Sequence, residues 1–427
     1  MSQFSLFPQQ SAIERLPTII ERDGDALVIP EGVHTIPATH GLHRFPGKFI
    51  PNLPRYLIRE VLPPDTRRLI FDPFCGSGTT PVEAALEGRP FLGTDIDALS
   101  ILIASAKTSP LSEGDLDEIE RAWQFHDYEL YAPELIPKIE NLEHWFSDVA
   151  TRQLASIKQR CISFPAHQRR FCLVVMSSII RRVSNADDQT QKTYVSGTLK
   201  KRPPEPKAIF PVFLQRAVQG MREYASLLPR APQGEIVQAD SRLFRPTCPI
   251  DDVVTSPPYI DSIDYMYNQM LEYFWLMTEL GLADHDDYRR LRRVPMGFRR
   301  DSSSAHALPE ALGDQRAVFE ETVSTIGERS VKEGDAVRAF FADYLAHLRN
   351  VHGFQRTGGR YVCVVGNSLI RDVIVPTVEF LVALHQATGY RLIDRFSYEI
   401  RRHYMKFPRR SNSGTIKMDH ILVFVRE

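Results

Sequence analysis

The chain has 427 residues, 43% of them hydrophobic and 25% charged, with a formal net charge of −1. This fits a soluble enzyme of one large or two modest domains, and so small a charge excludes global attraction to a polyanion, leaving nucleic-acid contact to local patches. No stretch approaches the ~18 uninterrupted apolar residues of a membrane span, and Met1-Ser-Gln-Phe-Ser lacks the regions of a secretory signal, so a cytoplasmic location is expected.

Residues 1–38 read as a loosely structured leader, with turns at Asp23-Gly-Asp25 and Pro30. Pro51 to Leu62 reads as an amphipathic helix. It leads into Leu69-Ile-Phe-Asp-Pro-Phe-Cys-Gly-Ser-Gly-Thr-Thr80, a buried strand, a tight Gly-x-Gly turn and a helix start. A second strand, Phe91-Leu-Gly-Thr-Asp-Ile-Asp97, follows the helical stretch Pro81 to Glu87. Residues 111–230 read as a helical insertion: mostly helix from Leu116 to Phe164, an apolar-periodic helix from His167 to Val183, a polar break at Ser184 to Gln191, and a further helix from Phe210 to Leu227. Glu235 to Asp240 and Asp251 to Val254 read as strands. Asn268 to Leu280 reads as an aromatic helix, residues 284–335 as a basic and mobile excursion, and Gly359 to Gly366 and Asp419 to Val425 as two late strands. Five cysteines, Cys75, Cys161, Cys172, Cys248 and Cys363, show no zinc-type spacing and read as reduced structural thiols, with no metal expected.

The glycine turn is a ligand loop. Gly76 and Gly78 permit positive φ and close backbone approach, and the helix after them offers free N–H groups. A P-loop needs Lys followed by Ser or Thr, which Thr79-Thr80 lacks. A dinucleotide fold needs a third glycine, where this chain has Pro81. An S-adenosylmethionine site remains, with Asp95 at the end of the next strand to take the ribose hydroxyls.

Thr255-Ser-Pro-Pro-Tyr259 carries the second chemistry. Pro257 and Pro258 donate no backbone hydrogen bond and hold φ near −65°. The carbonyls of Ser256 and Pro257 can therefore accept from an exocyclic amine, with the ring of Tyr259 as a stacking platform and its hydroxyl adding little.

With both motifs in hand, the chain resembles the amino-methylating DNA methyltransferases. Within them it is most similar to the cytosine-N4 group, whose site motif typically opens with Ser where most adenine-N6 enzymes have Asp or Asn. His40-Gly-Leu-His-Arg-Phe-Pro-Gly-Lys-Phe-Ile-Pro51 resembles the family segment that folds over the cofactor's methionine end. The resemblance implies a Rossmann-like α/β sheet, mostly parallel with an antiparallel last strand, whose two parts span residues 39–110 and 231–427. It assigns S-adenosylmethionine to Lys48, Phe49, Asp72, Phe74, Gly76, Gly78, Thr79, Asp95, Ile96 and Asp240, with Asp240 facing the adenine amino group. It gives the transfer step to Ser256, Pro257, Pro258 and Tyr259. The stretch between the second and third strands departs from the family pattern, being far longer than one crossover helix needs.

Two basic runs are candidates for phosphate contact in double-stranded DNA: Lys200, Lys201, Arg202 and Lys207 in the insertion, and Arg289, Arg290, Arg292 and Arg293 after the site motif. Both runs contain Pro and few acids. Expected partners are duplex DNA and a cognate restriction endonuclease. Competing readings are an adenine-N6 enzyme, an RNA amino-methyltransferase and a non-catalytic DNA-binding subunit.

Overall fold

The computed structural model describes residues 16, 20–28, 37–45, 47, 49–187, 192–198, 201–260, 264–296, 307–399 and 418–427. At its centre is a nine-stranded sheet. In chain order the strands are β1 (Glu21–Asp23), β2 (Ala26–Val28), β3 (Ile70–Asp72), β4 (Phe91–Asp95), β5 (Gly234–Gln238), β6 (Asp252–Thr255), β7 (Arg360–Val365), β8 (Tyr390–Glu399) and β9 (Met418–Arg426). Their spatial order is β1-β2-β8-β9-β7-β6-β3-β4-β5. Strands β5, β4, β3, β6 and β7 run parallel, while β9 is antiparallel to both β7 and β8.

Strand period sorts the side chains to two faces. Ile70, Phe91, Val254, Val362, Val364, Ile421 and Val423 enter one core. Their neighbours Phe71, Leu92, Val253, Tyr361, Cys363, Val365, Leu422 and Phe424 enter the other. Nearly every position of the central strands is therefore apolar, as a parallel sheet covered on both sides requires.

The first face is covered by α1 (Asn52–Tyr56), α2 (Thr79–Leu86), α3 (Ala98–Thr108) and the segment between β4 and β5. That segment holds α4 (Glu113–Gln124), α5 (Asp148–Ser163), α6 (Ala166–Val183) and α7 (Pro206–Leu227). Helix α6 joins it to the sheet layer: Phe171, Val175, Ile179 and Ile180 are buried at helical spacing. Beyond β6 come α8 (Met270–Leu276) and α9 (His285–Leu291).

The second face is covered by α10 (Arg316–Arg329), α11 (Val331–His352) and α12 (Thr377–Ala387). This corrects the reading of residues 284–335 as a mobile excursion, because Phe319, Val323 and Ile326 of α10 are buried in the core. Residues 297–306 lie outside the described residues.

The leader also needs correction. Glu21 to Val28 form a hairpin turned by Gly24 at φ +56°, and its second strand pairs with β8. Ile20 and Leu27 are buried beneath it. Arg22 forms an ion pair with Asp394 and lies 4.3 Å from the centroid of the Phe396 ring.

No helix among the described residues is long and apolar enough to cross a membrane.

Candidate active site

The chain passes from β3 to β4 and β5 on one side, then returns to place β6 on the other side of β3. Beyond the carboxyl ends of β3 and β6 the strand order reverses, the place where open α/β sheets form a ligand crevice. The glycine loop leaves β3 there and Ser256 leaves β6 there. The two motifs are tied directly, since the buried Thr255 hydroxyl donates to Asp72 Oδ1 at 2.6 Å. Burial lifts the Asp72 carboxyl to about 6 against the pull of that bond.

The loop is built by its own backbone. Gly76 and Gly78 stand at φ +47° and +80°, Gly78 N–H donates to the Cys75 carbonyl, and Cys75 N–H donates to the Thr94 carbonyl of β4. Gly78 is the N-cap of α2 and supplies no side-chain cap, so the first N–H groups of that helix remain available to a ligand. Asp95 closes the loop from β4, its Oδ2 accepting from Gly76 N–H and its Oδ1 from Asp97 N–H, each at 2.9 Å. Burial, with Asp97 close by, raises its carboxyl to about 7.

The segment before the loop lies over it. An added Cβ on Gly76 would stand 3.5 Å from the Phe45 ring, and one on Gly47 would stand 2.8 Å from the Tyr265 hydroxyl. The Phe45 and Tyr265 rings stack at 5.8 Å. A buried cluster anchors this segment to α2: His40 Nε2 and Arg55 both reach the Glu83 carboxylate at 2.8 Å. Burial opposes the charge, yet His40 and Arg55 hold Glu83 below its ordinary range.

The assigned residues divide as follows. Asp72, Phe74, Gly76, Gly78, Thr79, Asp95 and Ile96 line the carboxyl ends of β3 and β4. Phe49 is half-buried against the first core, and Lys48 lies outside the described residues. Asp240 follows β5, where its carboxylate is clamped by Arg242, which also pairs with Asp343 at 2.9 Å. An added Cβ on Gly78 would stand 2.8 Å from Ala104 Cβ on α3, so the close packing of α3 against the loop requires a glycine there.

Ser256, Pro258 and Tyr259 are half-buried and Pro257 is buried. The Tyr259 hydroxyl donates to Asp419 Oδ1 at 2.8 Å, a partner that the motif alone did not indicate. Sequence reading gave no role of their own to Phe45, Tyr265, Thr255 or Asp419: Thr255 opens the site motif and Phe45 lies in the segment read as covering the methionine end, whereas Tyr265 and Asp419 reach the site only through the fold.

The basic runs look different once folded. Arg289 and Arg290 are exposed and each reaches back one turn, to Asp286 and Asp287. Arg292 pairs with Asp264 and lies 5.1 Å from the Tyr267 ring centroid, and Arg293 is exposed. The second run is therefore not poor in acids. Lys201 donates to the carbonyls of Arg181 and Ala186 at the end of α6. Arg202 and Lys207 are exposed, Lys207 beside Glu205, and Lys200 lies outside the described residues.

A mostly parallel sheet covered by helices on both faces, with a glycine loop and a strand-end acid at its switch point, has the architecture of the Rossmann-like α/β methyltransferase fold. Residues 29–105 match the family model described as DNA methylase. The type II methyltransferase M.MvaI of Kocuria varians is 25% identical over 368 residues, 79% of each chain. The type II methyltransferase M.MjaII of Methanocaldococcus jannaschii is 37% identical over 82 residues, 19% of this chain and 14% of that one. Among solved structures, the rRNA methyltransferase aviRa from Streptomyces viridochromogenes aligns over 90% of this chain and 89% of its own, at 12% identity and a TM-score of 0.32. These matches support the N4/N6 amino-methylating DNA methyltransferase family for this chain, with S-adenosylmethionine as the methyl donor.

Proposed function

We propose that this DNA methyltransferase acts on the exocyclic N4 amine of cytosine, in a base turned out of duplex DNA. The observation that carries the reading is Ser256, an uncharged residue opening the site motif at the end of β6, beside the strand that bears the cofactor loop. S-adenosylmethionine supplies an electrophilic methyl group, so the protein's chief task is to align the attacking nitrogen. The cytosine N4 lone pair is delocalised into its ring. Acceptors at Ser256 and the Pro257 carbonyl favour the pyramidal amine as positive charge develops on it, and a neutral Ser suffices where the proton leaves after transfer. The Tyr259 ring offers the stacking face.

The residues present suit the cofactor. The start of α2 offers free donors, and the Ser77 hydroxyl is buried without a hydrogen-bond partner. Asp95 would take the ribose hydroxyls, and Phe45 with Tyr265 would cover the methionine end. Service in a restriction-modification system alongside a cognate endonuclease fits this reading.

The test is transfer of labelled methyl to duplex DNA, followed by digestion to nucleosides and chromatography. Label in N4-methylcytosine is expected. Label in N6-methyladenine reassigns the base, and label accepted only by RNA reassigns the substrate.

A further inference from the structure

Asp419 stands at the start of β9, paired across the sheet with Tyr398 near the end of β8. Only 6% of its surface is exposed. Its two carboxylate oxygens are divided between two tyrosines: Oδ1 accepts from the Tyr259 hydroxyl and Oδ2 from the Tyr398 hydroxyl, both at 2.8 Å. Strand β7 lies between β6 and β9, and its last residue, Val365, pairs with His420. Tyr259 thus reaches past the carboxyl end of β7 to a carboxylate two strands away.

That reach has a purpose for a stacking residue. The ring torsion of a tyrosine has a broad energy well, so a platform anchored only by its backbone samples many tilts. A hydroxyl donating to a carboxylate is among the stronger hydrogen bonds, and it pins the ring at the edge opposite its Cβ. The carboxylate in turn is held by Tyr398.

We infer that Asp419 is a positioning residue for methyl transfer, fixing the tilt of the Tyr259 ring against the target base through the Tyr259 hydroxyl. The inference rests on the proposed reading of Ser256 to Tyr259 as the base pocket. It makes Tyr259 and Asp419 one unit, so loss of either end releases the same ring.

The experiment is a double-mutant cycle with Tyr259→Phe, Asp419→Asn and the double variant. It is read by single-turnover methyl transfer to DNA and by calorimetric titration with S-adenosylmethionine. Each single variant is expected to slow transfer about tenfold, the scale of one charge-assisted hydrogen bond, with cofactor affinity unchanged. The double variant should be no slower than the slower single. Tyr259→Phe transferring at the wild-type rate, or rates that multiply in the double variant, would overturn the proposal. So would an equal loss of cofactor affinity, which marks Asp419 as a general structural pin. Should Asp419→Asn fail to fold, Tyr259→Phe decides alone: slowed transfer at an unchanged melting temperature supports the proposal, and an unchanged rate ends it. A wild-type protein that transfers no methyl to DNA overturns the underlying reading, and this inference with it. That failure is seen before any variant is made, whereas failure of the coupling appears only in variants of an active enzyme.

Discussion

Asp95 carries a carboxyl raised to about 7 by burial and by Asp97, and the sign of its effect follows. Unfolded, it titrates near ~3.9. Between about pH 4 and 7 the ligand-free fold therefore holds a proton that the unfolded chain has released, and its stability falls as pH rises through that window. Ribose hydroxyls donating to Asp95 favour the ionised form, so affinity for S-adenosylmethionine should climb about tenfold from pH 6 to pH 8 and then level. Titration calorimetry across that range should show the climb in the wild type and a weak, flat profile in Asp95→Asn. A flat wild-type profile would remove Asp95 from the cofactor. Ser256 is expected to divide the other way. Ser256→Ala should slow transfer at least tenfold while leaving cofactor affinity within about twofold, and equal losses in both would refute the division of labour between β6 and the glycine loop.

At the scale of elements, the two loop glycines part company. Gly76 faces the Phe45 ring at ordinary contact distance, whereas Gly78 abuts Ala104 of α3. Gly76→Ala should cost roughly 1–2 kcal/mol from positive φ alone, and Gly78→Ala about 1–3 kcal/mol more from overpacking. Thermal melts of the ligand-free protein check the order, and a Gly78 variant as stable as the Gly76 variant contradicts the packing assignment. This contact also marks the limit of what the sequence made legible. The strand, Gly-x-Gly turn and strand-end acid could be read locally because each is set by neighbours in sequence. Strands β3, β4, β5, β6, β7 and β9 and helices α6 and α7 were legible from apolar period and turn chemistry. Helix α10 was missed although it buries Phe319, Val323 and Ile326 at helical spacing, because a neighbouring run rich in Arg, Ser and Pro drew residues 284–335 into one excursion; α11 and α12, which lie mostly or wholly beyond that stretch, were given no reading. Strand β8 was missed although Tyr390, Phe396 and Tyr398 are buried at even spacing; charged Arg391, Asp394 and Arg395 break its apolar character. Long-range partners such as Asp419 leave no local signal.

For the whole molecule, a net charge of −1 makes DNA affinity a matter of a few exposed side chains. Arg289 and Arg290 are held only by surface ion pairs, which are worth about 0–1 kcal/mol, so both are free to exchange a carboxylate for a phosphate. Converting Arg289, Arg290 and Arg293 to Gln should weaken duplex binding and flatten its log-log salt slope by about one unit per lost contact, with cofactor affinity unchanged. Affinities measured at several salt concentrations decide it, and an unchanged slope moves the contact elsewhere. Arg292 is left out of that set because it braces Asp264, the N-cap of the helix Tyr265–Asn268 that carries Tyr265.

The hairpin at residues 21–28 bears on solubility. Without it, the ten-residue β8 would form one border of the sheet and present a row of unpaired backbone groups, a template on which a second molecule could pair. In its place the border is β1, three residues long, Glu-Arg-Asp, and exposed throughout. A short, charged outermost strand discourages such pairing. The Arg22–Asp394 pair and the Ser397 N–H bond to the Asp25 carbonyl fasten this guard to β8. Deleting residues 1–28 should therefore leave the glycine loop and site motif in place yet yield a protein that self-associates with rising concentration. Light scattering of the truncated and intact chains would show it, and a truncated chain that stays monomeric would deny the hairpin this protective task.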